Sequence, residues 1–101
     1  MIIYNVTTKI EWPVADEWVQ WMKDEHIPAI LSTGCFTRYQ FVKLLEVDNV
    51  DGATYAVQYF APALADYNKY MRHYADAFSK ESILKWGDRF ISFRSLMEVV
   101  D

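Results

Sequence analysis

A single cysteine, Cys35, excludes any internal disulfide and makes a reducing compartment the easier setting. The two histidines, His26 and His73, and Cys35 fall in no HxxxH or CxxC spacing, so no metal site is expected. The segment "VDNVDG" lacks the ligand spacing of a calcium loop. No glycine-rich phosphate loop and no GxSxG elbow occurs, and Cys35 has no neighbouring base to activate it. Ten basic against fourteen acidic residues give a net charge of −4, which disfavours nucleic acid or an anionic membrane as partner. No apolar run approaches a membrane span, and "MIIYNVTTKIEW" is too short and too polar for a signal core. A cytoplasmic protein without a cofactor is expected. No repeat, linker or low-complexity stretch divides the chain, so residues 1–101 form one domain.

What is present is apolar and aromatic: 52% hydrophobic residues and 17% aromatic ones, enough for a packed core without staples. Ile2–Trp12 alternates with period two, with Ile2, Tyr4, Val6, Ile10 and Trp12 on one face, and is a strand. Pro13 suits the first turn of a helix whose apolar arc holds Val14, Ala15, Trp18, Val19, Trp21 and Met22. Pro28 is expected to interrupt that helix, leaving a short turn, Pro28–Thr33, that stops at Gly34. Phe36–Val47 is a second strand, Asp51-Gly52 a hairpin turn signal, and Ala53–Ala61 a third strand. Ala63–Phe78 is the clearest helix, followed by a helical turn at Lys80–Trp86 ending at Gly87 and a fourth strand at Arg89–Val100.

The order βαββαβ implies an α+β, ferredoxin-like sandwich: a four-stranded antiparallel sheet with both helices on one face. Tyr4, Tyr55, Val57, Tyr59, Ile91 and Phe93 are assigned to the helix side. The opposite face then carries Ile3, Asn5, Thr7, Gln58, Phe60, Ser92, Arg94 and Leu96, joined by Arg38, Gln40, Val42 and Leu44. That face is apolar enough to call for a cover, and a homodimer packed sheet to sheet is expected.

The stretches "MIIYNVT", "WVQWMKDEHIPAILSTGCF", "TYAVQYFA" and "RFISFRSLMEVV" resemble a short bacterial family of unknown function, over nearly the whole chain. The resemblance implies membership of the dimeric α/β-barrel group, related in fold to antibiotic-biosynthesis-type monooxygenases. That group also contains haem-degrading monooxygenases and muconolactone isomerases, so it implies fold and dimer more than function.

The candidate chemistry centres on Glu25-His26. A straight helical count puts Glu25 inside the apolar arc and His26 at its edge. Either is then a candidate general base at the mouth of a helix–sheet cleft; the alternative is a histidine that only satisfies carbonyls at a helix end. All seven tyrosines are assigned to the helix–sheet layer, and so many phenols suggest a pocket for a planar or aromatic molecule. Asn5 and Tyr59 are candidate polar contacts there, and Trp18 and Trp21 candidate apolar walls. The pairing of Asn5 with His73 is similar to that of haem-degrading barrels, but His73 lies on a polar helix face among Lys69 and Asp76, and no tryptophan accompanies it. Three functions stay open: a small-molecule binding protein, a cofactor-independent monooxygenase or isomerase, and a non-catalytic dimer module.

Overall fold

A computed structural model describes all 101 residues. Strand β1 is Ile2–Glu11, helix α1 Trp12–Trp21, followed by a π-helical segment at Met22–His26 and helix α2 at Ile27–Leu31. Strands β2, Arg38–Lys43, and β3, Gly52–Ala61, come next, then helices α3, Leu64–His73, and α4, Ala75–Trp86, and strand β4, Phe90–Glu98. The sheet is antiparallel with strand order β2-β3-β1-β4, the ferredoxin-like arrangement expected from the element order.

The first helical arm does not stop at Pro28. Its backbone stays helical from Trp12 to Leu31, because a π turn precedes the proline: the Ile27 N–H donates to the Met22 carbonyl, five residues back. The wider turn gives the pyrrolidine ring room beside the preceding carbonyls. It also slips the helical phase by one residue. Ala15, Trp18, Trp21 and Met22 are buried before it, and Ile27 and Ile30 after it, so the inward stripe takes a step of five from Met22 to Ile27. Glu25, expected within the apolar arc, is thereby turned out to solvent.

The second arm shows the converse. It contains no proline, yet the helix expected over Ala63–Phe78 breaks at Tyr74, whose φ of −128° and ψ of −34° leave the α region. The expected turn at Lys80–Trp86 is the end of α4, and Gly87 closes it with φ 62°. The break lets Tyr70 and Phe78 lie parallel, 6.2 Å between centroids, and brings Trp86 edge-on to Trp21 at 5.7 Å.

Gly52 is not a turn residue with left-handed backbone; it is the first residue of β3, paired with Glu11. A Cβ there would collide with the Ile10 carbonyl, so the glycine is demanded by close approach of two strands.

The registers correct one strand. Tyr4 pairs with Tyr59 and Leu96, Val6 with Val57 and Arg94, and Thr8 with Tyr55 and Ser92. Directly paired residues share a face, so Ser92, Arg94 and Leu96 look toward the helices. Ile91, Phe93 and Met97 look away, the reverse of the expectation. A one-residue slip exchanges every side chain between faces. The assignment had put the more apolar set of β4 under the helices, whereas pairing of Phe90 with Ile10 and of Glu98 with Ile2 decides otherwise. The assignments of β1, β2 and β3 agree with the registers.

Candidate functional site

Between the sheet and the helices lies a cavity of about 400 Å³. Its floor is the helix-facing row of β1, β3 and β4, including Tyr4, Val6, Val57, Tyr59, Ser92 and Arg94. Trp18, Met22, His26 and Ile30 of the first arm wall one side, and Tyr70, Ala75, Phe78, Ser79 and Ser82 of the second arm wall the other. The two irregularities of the helices frame it: the π turn presents His26, and the break at Tyr74 lies between Tyr70 and Phe78, whose rings stack on its edge.

His26 stacks on Trp21 with centroids 4.6 Å apart and an interplanar angle of 26°, and meets the Phe78 ring edge-on at 5.8 Å. Its Nδ1 is sealed from solvent and has no hydrogen-bond partner. Burial penalises the charged imidazolium and holds the His26 pKa down at about 4, so the ring is neutral at pH 7. Two tyrosines of the floor meet one of the wall: the Tyr4 ring centroid lies 6.1 Å from that of Tyr59 and 5.7 Å from that of Tyr70, and all three are buried. Burial raises the phenol pKa of each. The positive charge of Arg94 partly offsets this at Tyr4 and Tyr70.

Of the candidates from the sequence, His26, Trp18 and Tyr59 come together on this cavity. Trp21 is buried behind His26 and does not line it. Glu25 stands outside, exposed to water. Asn5 is on the other sheet face, where its amide donates to the Thr7 hydroxyl at 3.0 Å, so it does not reach the cavity. His73 is exposed at the end of α3. Of the seven tyrosines, Tyr39 is 44% exposed, being on the short edge strand β2. Arg94 and Ser92 reach the cavity because β4 has the face assignment opposite to that expected, and Ser79 and Ser82 because α4 is a full helix, Ala75–Trp86, where only a turn at Lys80–Trp86 is expected. No three His, Cys, Asp or Glu side chains converge as a metal site, and no helix is long and apolar enough to cross a membrane.

These features define a ferredoxin-like α+β domain with an open cavity between its two layers. The chain belongs to the domain family of unknown function DUF4286, whose profile matches residues 1–100. No functionally curated protein matches it in sequence. Among solved structures, it is similar to a dimeric ferredoxin-like protein from an uncultured marine organism, with TM-score 0.75, 11% identity, and 99% of this chain and 95% of the other covered. An antibiotic biosynthesis monooxygenase aligns with TM-score 0.69 and 14% identity over the whole of both chains. A variant of SnoaB, a cofactor-independent oxygenase from Streptomyces nogalater, aligns with TM-score 0.63 and 10% identity over 99% of this chain and 94% of its own. At these identities the likeness is one of fold.

Proposed function

We propose that the protein binds a small planar, aromatic molecule in the helix–sheet cavity, as a cytoplasmic homodimer joined through its open sheet faces. The observation that carries the binding reading is the cavity itself. Its volume of about 400 Å³ lies within the usual range of small-molecule sites, and its walls are aromatic rings with a few hydroxyls and one imidazole. A non-catalytic dimer module has no use for such a space, and close packing would ordinarily fill it.

Binding ranks ahead of a cofactor-independent monooxygenase or isomerase because of His26. Proton abstraction at neutral pH works best with a base whose pKa is near 7. An imidazole held near 4 is a weak base and acts more readily as a neutral hydrogen-bonding group. The dimer is supported by the open face, where Ile91 is 72% and Phe93 61% exposed. Met97, Ile3 and Val42 lie on the same side of the sheet. An apolar sheet face of this kind marks an interaction surface, and the similar marine protein is described as dimeric.

A thermal-shift series with 2-naphthol and related bicyclic aromatics tests the binding reading. The expected result is a melting temperature raised by a few degrees, and loss of the shift in Ser79→Trp, which fills the cavity. An unchanged melting temperature across the series would end it.

A further inference from the structure

We infer that the cavity selects an anionic aromatic ligand, one that carries a carboxylate or a comparable acidic group, and that Arg94 is the residue that receives it. This rests on the cavity being a ligand site and adds the chemical class of the ligand.

Arg94 is the only charged side chain among the 19 residues that line the cavity, and no aspartate or glutamate is among them. Register places it on the helix-facing side of β4, opposite Val6 and one step along from Ser92 on that face. Ser92 is held in turn by the Thr8 hydroxyl at 2.7 Å. The structure has two ion pairs, Lys80 with Asp76 and Arg89 with Glu11, and neither involves Arg94. A guanidinium therefore stands at the cavity without a carboxylate, in a protein that has acidic residues to spare.

In the empty state this arrangement is cheap, because Arg94 is exposed and water solvates it. A ligand that fills the cavity changes that. It displaces water from the guanidinium, and a neutral ligand leaves the charge with fewer partners, which is unfavourable. A carboxylate restores them with two parallel N–H···O bonds, the geometry for which guanidinium is suited and ammonium is not. The aromatic cluster of Tyr4, Tyr59 and Tyr70 takes the planar body of the same ligand. The phenols are uncharged at pH 7, so none of them repels an anion or forms an ion pair with Arg94.

Isothermal titration with 2-naphthoate and its neutral isostere 2-naphthamide distinguishes charge from shape. Wild-type protein is expected to bind the carboxylate about tenfold to a hundredfold more tightly, the usual gain of a charge-assisted bond. Arg94→Gln is expected to bring the two affinities together, and Arg94→Lys to keep part of the preference. Circular dichroism and melting of both variants establish that they fold. Equal affinity for the two probes in wild type, or a preference that survives in Arg94→Gln, would overturn the assignment of Arg94 while leaving the cavity a binding site. Failure of both probes to bind would overturn the anion assignment and the cavity reading together.

Discussion

The two faces of the sheet are built from the same four strands, residue by residue in alternation, and they meet opposite problems. The covered face is rich in phenols and ends in a charged group, yet it is roofed by helices. The face turned away from the helices leaves Ile91, Phe93 and Met97 of its edge strand exposed, while Thr7 and Phe60 nearer its centre are buried. If burial of apolar residues within one chain were the whole requirement, β4 would be turned the other way. The difference leaves the helix cover incomplete, so that a cavity forms beneath it, and leaves the opposite face as the surface on which the proposed second copy would pack.

Three experiments can break or sharpen that contrast. The largest effect is expected on the covered face. The His26 pKa, ordinarily near 6.5, is lowered to about 4 in the fold. Between these values the unfolded chain binds a proton that the folded chain does not, so stability falls as pH drops from about 6.5 toward 4 and is fully present above that window. The loss is about 3 kcal/mol at pH 4. Urea unfolding at pH 7 and pH 4 should show wild type losing that much more than His26→Phe. Parallel pH profiles would mean that the imidazole is hydrated in solution.

Next comes the open face. Phe93→Glu puts a charge where the proposed partner sits and should leave the monomer fold intact, since Phe93 is already 61% exposed. Sedimentation is expected to show the dimer dissociation constant raised by at least about tenfold, the cost of one desolvated charge at an interface. A dimer of unchanged strength would place the interface elsewhere. The smallest effect concerns Arg38, whose guanidinium lies 3.6 Å from the centroid of the Phe60 ring on the same open face. Arg38→Ala should cost about 0.5–1 kcal/mol in a chemical-denaturation series, the usual size of an exposed cation–π contact. Loss of dimer in this variant would show that the stacked pair belongs to the interface.

Much of the architecture was legible because periodicity is local. Strict alternation in Ile2–Glu11 and Gly52–Ala61 determined which residues of the two central strands face the helices, and the apolar spacing of Ala15, Trp18 and Met22 determined the buried side of α1. The proline at 28 misled, since its usual effect is to end a helix. The five-residue step from Met22 to Ile27 was the available sign that a π turn carries the helix through. The break at Tyr74 had no such sign: Leu64–Phe78 has one continuous apolar stripe, and only packing of Tyr70 and Phe78 over the sheet splits it.

For the candidate site the division is sharper. The sequence by itself determined the strand order, the aromatic character of the layer between sheet and helices, and three residues of its cavity, His26, Trp18 and Tyr59. Only the tertiary structure decided that Glu25 lies outside it and that Arg94 lies within, whereas the alternation of β1 already put Asn5 on the other face. The reason is physical. Which of two alternating sets faces inward follows from composition when one is polar. In β4 both sets mix apolar with polar residues, and the choice passes to the pairing with β1, made by residues far apart in the chain, from Ile10 with Phe90 to Ile2 with Glu98.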